Sequence, residues 1–261
     1  MALAKHLREL RRRLLTAGAA ILAGAVLGFL AADTLLAALR EPVASASSRL
    51  GGMSGLNFTY VTQAFDLKLQ IALTLGVVVS SPVWLYQVWA FLVPGLVRRE
   101  RRVVIGFLGS AIPLFLLGCL TGWTVTPHVV AVMLGFVAPE DSALLDARFF
   151  YDFVLKLALA TGIAFVLPVF LVVLNFVGVL QGRTILKGWR VAILLVFAFA
   201  AIATPAADVL SMFLLAGPMT ALYFGAVGIA ILHDRRAARR ALASAPGDAS
   251  VERGSRARAH A

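Results

Sequence analysis

The chain has 261 residues, of which 61% are hydrophobic and only 14% are charged, and its formal net charge is +11. Soluble domains are about 45 to 50% apolar and about 25% charged, so this composition excludes an ordinary water-exposed surface and favours a membrane protein. The basic residues separate long apolar runs instead of forming one soluble patch, which argues against a nucleic-acid-binding protein.

The amino terminus imitates a secretory signal peptide, because five basic residues within positions 1–13 precede an apolar stretch. That stretch runs over about 14–39, which is too long for the apolar core of a signal peptide. We therefore predict a retained first transmembrane helix.

Apolar segments of about 20 residues, the length that crosses a bilayer, recur along the chain. They predict an all-α fold of six transmembrane helices, at about 14–39, 67–93, 103–125, 153–180, 191–203 and 209–232. The fifth segment has only 13 residues, so a re-entrant segment is the alternative there. Prolines inside four of these segments favour kinked helices and a concave bundle: Pro82, Pro113, Pro168 and Pro218.

The outer connections are unequal in length. Segments 40–66 and 127–152 predict long loops, whereas 204–208 is barely a turn and predicts a tight antiparallel hairpin of the last two helices. From Ala241 onward the composition cannot bury a core. We therefore predict a membrane domain over 1–240 and a disordered cytoplasmic tail over 241–261.

The positions of Lys and Arg predict the orientation. Nineteen of the 24 basic residues fall at the two termini and in the second and fourth connections, around 98–102 and 183–190. The positive-inside rule then places both termini in the cytoplasm, which requires an even number of crossings.

Residues typical of catalysis are absent from the predicted helix interiors. All four histidines lie at or beyond helix ends, and the sequence has no phosphate-binding glycine loop and no Cys/His cluster. The single cysteine, Cys119, excludes an intramolecular disulfide. The sequence therefore predicts no enzyme, no cofactor and no metal site.

A small-solute secondary transporter is the alternative function, and it would need ionisable residues near the bilayer midplane. The acidic residues lie instead at predicted helix ends, where capping and interface roles are common. They are Asp33, Asp66 beside Lys68, and Asp152, which is four residues before Lys156.

Two glutamates lie inside basic clusters, Glu9 before Arg11 and Glu100 between pairs of arginines. The simpler interpretation is that each relieves repulsion among its neighbours, as in a purely structural scaffold. The alternative is a pair of sockets for a positively charged peptide, because a carboxylate binds a guanidinium bidentately and does so more strongly near lipid than in bulk water.

The residues around both glutamates resemble the TatC family, the receptor subunits of the twin-arginine protein translocase. Segment 6–14 resembles the family's amino-terminal signature, and 82–102 resembles its second-helix end and first cytoplasmic loop. Shorter similarities at 165–168, 204–208 and 216–219 extend the resemblance over about 3–232.

The resemblance implies a glove-shaped protein of the bacterial cytoplasmic membrane that binds paired-arginine signal peptides of folded precursors and nucleates the translocation site. Glu9 and Glu100 match the glutamates that meet those arginines. Arg11 matches a basic residue beside the first glutamate, and Phe91 matches an aromatic residue before the loop.

On the outer side, the resemblance makes Pro42 the proline of the first loop, and places Thr204 and Asp208 near the ends of the last two helices. It implies single-span partners of the TatA and TatB type, self-association in a larger complex, and transport driven by the proton motive force rather than by ATP.

Two positions depart from the family pattern. Val166 stands where many members carry an intramembrane glutamate, and Met212 stands where a glutamine often follows the outer aspartate. Thr161 and Asn175 could substitute for the missing polar groups, but we predict that both serve helix packing, a common role of small and polar residues in membranes.

Overall fold

The computed structural model describes residues 2–49, 55–57, 60–92, 101–134, 144–204 and 209–244. Helices dominate these residues, which confirms the predicted helical architecture. The helices of the described residues are α1 Ala2–Arg49, α2 Val61–Val79, α3 Ser81–Leu92, α4 Arg101–Leu134, α5 Ala147–Phe176, α6 Gly182–Lys187, α7 Trp189–Ala203 and α8 Val209–Ser244. Helix α8 includes the first four residues of the predicted tail, and the rest of that tail lies outside the described residues.

Five of the described helices are long and apolar enough to cross a membrane: α1, α2, α4, α5 and α8. Helix α7 is apolar but has only 15 residues. These helices coincide with the predicted segments, and their exposed leucine, isoleucine and phenylalanine side chains form the surface that lipid would cover. The chain is therefore a multi-pass membrane protein.

The helices extend further than hydropathy predicts, so the two connections predicted at 40–66 and 127–152 are shorter, at 50–60 and 135–146. Helix α1 continues to Arg49, and α4 continues through Pro127 to Leu134. Helix α5 begins at Ala147, where the Asp146 carboxylate accepts a hydrogen bond from the backbone N–H of Phe149 at 3.0 Å. The end of α1 is polar and can continue as a helix in water, α4 continues because Pro127 and His128 interrupt its apolar run without ending the helix, and an aspartate cap fixes where α5 starts.

The predicted second span is not one helix, because it breaks at Ser80 into α2 and α3. Pro82 causes the break, since its ring removes a backbone donor and restricts the residue before it. The indole N–H of Trp84 donates to the carbonyl oxygen of Val77, near the end of α2, at 2.9 Å. This bond satisfies the carbonyl oxygen, for which lipid offers no hydrogen-bond donor.

Two three-residue strands, which the sequence did not predict, join the connection between α1 and α2 to the connection between α4 and α5. Strand β1 Gly55–Asn57 pairs in parallel with β2 Leu144–Asp146, with Leu56 opposite Leu145. Because β2 leads directly into α5, this pair ties the connection between α1 and α2 to the start of α5.

The last two predicted helices meet where hydropathy places their connection, although α8 continues 12 residues beyond its predicted end at 232. Helix α7 ends at Ala203 and α8 begins at Val209, so a five-residue connection joins them, of which 205–208 lies outside the described residues. The rings of Phe197 on α7 and Phe213 on α8 pack edge to face with centroids 5.4 Å apart.

Small residues form the seam between α1 and α2. A Cβ atom added to Gly28 would lie 2.5 Å from the carbonyl oxygen of Ala72, and one added to Gly76 would lie 2.7 Å from the backbone nitrogen of Ala25. The two backbones are therefore in direct contact. Helices in water associate because this buries apolar surface. Lipid removes that driving force, and close backbone packing takes its place.

A second seam joins α4 and α5. A Cβ atom on Gly118 would lie 2.6 Å from the carbonyl oxygen of Thr161, while the buried Thr161 hydroxyl lies 2.8 Å from the carbonyl oxygens of both Gly118 and Leu157, either of which can accept its proton. The predicted packing role of Thr161 is thereby confirmed.

Replacement of Gly28 by alanine tests the first seam. We expect G28A to lower the free energy of unfolding by about 1 to 3 kcal/mol, because the added methyl group forces α1 and α2 apart. The control G18A adds the same methyl group to the same helix, where nothing lies within 4 Å. It should leave stability unchanged or raise it by up to about 1 kcal/mol through helix propensity. Thermal unfolding in detergent measures both, and equal effects would contradict the seam.

Candidate functional site

The amino-terminal turns of α1 place Glu9 and Arg13 on one face, because residues four apart are neighbours on a helix. One carboxylate oxygen of Glu9 accepts hydrogen bonds from two nitrogens of the Arg13 guanidinium, Nη2 at 2.6 Å and Nε at 3.1 Å. Both side chains are half-buried. Glu9 is therefore held in a defined orientation instead of pointing freely into solvent.

Helix α3 supplies a polar side chain to the same place. The remaining guanidinium nitrogen of Arg13, Nη1, donates to the amide oxygen of Gln87 at 3.5 Å, a long contact. Gln87 is a polar residue in an otherwise apolar turn of α3, and it reaches Arg13 because α3 follows α2, which packs along α1. Two helices that are distant in sequence thus meet at Glu9.

These residues line an open cleft of about 540 Å³, which also includes Arg8, Arg12 and Thr16. Among the described residues, its lining has one carboxylate, three guanidinium groups and one amide. A carboxylate among cations attracts a guanidinium in a forked geometry, and the bond is stronger where lipid or protein displaces water. The arrangement can therefore bind one arginine side chain of a ligand if that side chain displaces Arg13 from Glu9.

Arg11 lies on a different side of α1 from Glu9. Its side chain is exposed and lines a neighbouring depression of about 510 Å³, shared with Arg8, Arg12 and Leu15. Phe91 lies near the end of α3 and is half-buried. The structure thus brings Arg13 and Gln87, rather than Arg11, to the carboxylate of Glu9.

Three of the predicted site residues cannot be placed. Glu100 and Asp208 lie outside the described residues. Pro42 belongs to α1, where only the backbone is described.

Thr204 and Met212 lie at the hairpin of α7 and α8. Thr204 ends α7, and its buried hydroxyl donates to the carbonyl oxygen of Ala200 at 2.9 Å. Met212 is partly buried and packs against the apolar cluster that contains Leu157 and Leu215. Both side chains therefore stabilise the hairpin.

Val166, the other departure from the family pattern, is buried in the apolar cluster that joins α3, α4 and α5. Its neighbours there include Leu85 and Phe115. A carboxylate at this position would be surrounded by apolar atoms, so the valine fits the packing that this chain has.

Asn175 confirms the predicted packing role through a cluster at the opposite end of α5 from Asp146. Its amide nitrogen donates to the carbonyl oxygen of Leu180 at 2.9 Å and to the carboxylate of Asp234 at 2.8 Å. The other carboxylate oxygen of Asp234 accepts from the backbone N–H of Gly182 at 2.7 Å. Asp234 therefore links α5, α6 and α8.

Further ion pairs of the described residues lie toward the opposite ends of the helices. The predicted pair of Asp152 and Lys156 is confirmed at 2.6 Å, and Asp152 also accepts from the amide of Gln70 on α2 at 2.5 Å. Lys68 pairs with Asp33 across α1 and α2 at 2.8 Å. These pairs join neighbouring helices near their ends, which agrees with interface roles and not with a midplane solute site. Among the described residues, no group of three or more His, Cys, Asp or Glu side chains could hold a metal ion.

Comparison with known proteins gives the family. The family model described as the Sec-independent protein translocase protein TatC matches residues 5–218. This chain belongs to the TatC family. The resemblance noted around the two glutamates is confirmed, and the chain is a member of a family of protein translocase components.

Relatives match along most of their length. The Sec-independent protein translocase protein TatC of Xylanimonas cellulosilytica is 48% identical over 240 residues, which cover 92% of this chain and 87% of that protein. The TatC protein of Rothia mucilaginosa is 36% identical and is covered to 82%.

Two crystal structures described as the twin arginine translocase receptor TatC share the fold. One, in the detergent DDM, superimposes with a TM-score of 0.74 at 33% identity, covering 86% of this chain and 99% of that one. The other has a TM-score of 0.70 at 32% identity.

Substitution of Glu9 separates a structural role from a functional one. We expect E9Q to change the free energy of unfolding by less than about 1 kcal/mol, since a half-exposed helical ion pair contributes little. The comparison is D234N, the same carboxylate-to-amide change, which should cost about 1 to 3 kcal/mol because an amide cannot accept from both Asn175 and Gly182. Chemical unfolding in detergent measures both. An equal loss in the two variants would make Glu9 a structural residue.

Proposed function

We propose that this TatC-family chain is the signal-peptide receptor of a twin-arginine translocase in a bacterial cytoplasmic membrane. It binds the paired arginines of precursor signal peptides at its cytoplasmic face and nucleates the translocation site. The solved TatC structures are described as receptors of that translocase, and the family match covers residues 5–218, which include both glutamates.

The contact between Glu9 and Arg13 is the observation that carries the proposal. It consists of a carboxylate that accepts two nitrogens of one guanidinium at the wall of an open cleft. A precursor arginine carries the same group as Arg13 and can replace it there. Glu100 is the second socket of the proposal, for the other arginine of the pair.

Surrounding cations set the specificity of such a cleft. Arg8, Arg12 and Arg13 repel a cationic ligand, so only a ligand that pairs tightly with the carboxylate of Glu9 stays bound. Arginine meets this requirement better than lysine, because its planar fork bonds a carboxylate at two points. In the proposal, Arg11 lies beside the arriving peptide, and Phe91 contacts its apolar part.

The membrane topology of the proposal has six crossings, both termini in the cytoplasm and a concave bundle. Helix α7 spans only about 22 Å, against about 30 Å of hydrocarbon, so the bilayer thins there or the helix ends lie in the interface. The Arg190 guanidinium lies 5.7 Å from the Trp189 ring centroid at one end of α7. Both residue types are common interfacial anchors.

Partners in the proposal are single-span subunits of the TatA and TatB type, together with further copies of this chain. The hairpin of α7 and α8, with Thr204, Asp208 and Met212, and the outer segment with Pro42 are the surfaces assigned to them. With Met212 apolar, packing would carry more of that contact than polar bonds between helices. The proton motive force supplies the energy.

Precursor binding tests the sockets. We expect E9Q and E100Q each to weaken binding of a paired-arginine signal peptide by about 10- to 100-fold, the loss of one charge-assisted hydrogen-bond pair. The control is D66N, the same chemical change in a carboxylate that pairs with Arg148 at 3.4 Å, far along the chain from both sockets. Crosslinking or pull-down of a radiolabelled precursor measures binding. Unchanged binding in both glutamate variants favours the scaffold, in which the acids only relieve repulsion.

Accessibility of single cysteines tests the topology. In a C119S background, cysteines at positions 99, 187 and 240 should react with a membrane-impermeant maleimide only after the membrane is opened, whereas one at 140 should react in intact spheroplasts. The physical reason is the positive-inside rule applied to the basic connections. Labelling of position 240 from outside, with position 187 still protected, would make α7 a re-entrant segment and leave five crossings.

A further inference from the structure

A second charged cavity lies at the end of α8, away from the cleft at Glu9. It has a volume of about 320 Å³ and lies between the ends of α5 and α8. Its wall changes from apolar to basic along α8, and its principal residues are Phe176, Ile229, Leu232, His233, Arg236 and Arg240. We propose that this cavity binds the headgroup and upper acyl chain of an anionic phospholipid.

The helix period explains the arrangement. Positions 229, 232, 236 and 240 are three or four residues apart, so their side chains form one stripe on α8. Ile229 and Leu232 at its start are half exposed, and the arginines at its end are exposed. A ligand along this stripe meets an apolar surface first and positive charge next.

The level of the stripe matches the membrane surface. The apolar run of α8 ends at Leu232, and α5 ends at Phe176, whose ring centroid lies 4.4 Å from that of His233. Arg236 lies about 6 Å beyond Leu232 along the helix axis. The headgroup layer of a bilayer is about 5 to 7 Å thick on each side, so Arg236 reaches the depth of lipid phosphates.

The next acid along α8 is directed away from Arg236. The carboxylate of Asp234 faces α5 and α6, where Asn175 and Gly182 donate to its two oxygens, one of which also lies 3.8 Å from Nδ1 of His233. The guanidinium groups of Arg236 and Arg240 line the cavity on the other side of the helix. A phosphate diester matches this charge, and arginine bonds phosphate oxygens bidentately.

An acyl chain distinguishes the ligand from free phosphate. A soluble phosphate would use the arginines alone, whereas the cavity also includes Phe176, Ile229 and Leu232. Basic pockets between helix ends at a membrane surface are typical sites for anionic lipid headgroups. The two halves of the wall therefore point to one amphiphilic ligand.

Binding of phosphatidylglycerol to the purified full chain tests the proposal. Native mass spectrometry would give the apparent Kd of the first bound phosphatidylglycerol, compared with phosphatidylcholine of the same acyl chains. The variant R236Q/R240Q should weaken phosphatidylglycerol binding by about fivefold for each arginine. The control R235Q/R239Q removes the same charge from exposed arginines of α8 that do not line the cavity, and it should leave binding unchanged.

Two further measurements address the ligand. The variant I229S/L232S should also weaken phosphatidylglycerol binding, and both positions are exposed enough for the chain to fold. Glycerol phosphate, or an acidic peptide, at the concentration of the lipid should not displace it.

Four results would overturn the proposal: equal losses in the two arginine pairs, equal affinity for phosphatidylcholine, displacement by glycerol phosphate, or displacement by the peptide. Equal losses in the two arginine pairs would mean that the positive charge of the helix end acts without a specific site, and equal affinity for phosphatidylcholine would mean a purely apolar groove. Displacement by glycerol phosphate would mean a site for free phosphate, and displacement by the peptide would mean a site for a protein partner. None of these results depends on precursor binding at Glu9.

Discussion

Close contact between helix backbones is the constraint on which the rest of this structure depends. In lipid, an apolar side chain gains little by leaving acyl chains for another helix, so association needs tight packing and internal hydrogen bonds. Gly28 and Gly76 provide that contact between α1 and α2, as Gly118 and Thr161 do between α4 and α5. Because α3 continues from α2, the first seam also determines that Gln87 meets Arg13 at Glu9.

Hydropathy predicted the membrane helices well because the bilayer sets both their length and their composition. It could not predict the break at Ser80, since the residues on both sides are apolar and only Pro82 marks the change. Nor could it predict where helices end. The end of α1 extends into polar residues, which hydropathy does not assign to a membrane helix, and α4 continues past Pro127, where its predicted segment had stopped.

The candidate site was predictable in part. Glu9 was identified by its charge, because an acid among arginines is conspicuous in any context. Its partner Arg13 could have been found from helical spacing alone, since it lies four residues away on the same face, whereas Arg11 does not. Gln87 could not have been found from the sequence, because 74 positions separate it from Arg13 and only the packing of α1 with α2 and α3 brings them together.

The two charged cavities suit different ligands because their acids bond in different directions. At the start of α1 the carboxylate of Glu9 faces the cleft, where it accepts from a guanidinium that another guanidinium can replace. At the end of α8 the carboxylate of Asp234 accepts from Asn175 and from the backbone of Gly182, and neither donor can be exchanged for a ligand. Arginine-rich helix ends therefore present a site for a cation in one case and for an anion in the other. The hydrogen bonds of one acid decide between them, so net charge alone would have assigned both ends the same ligand.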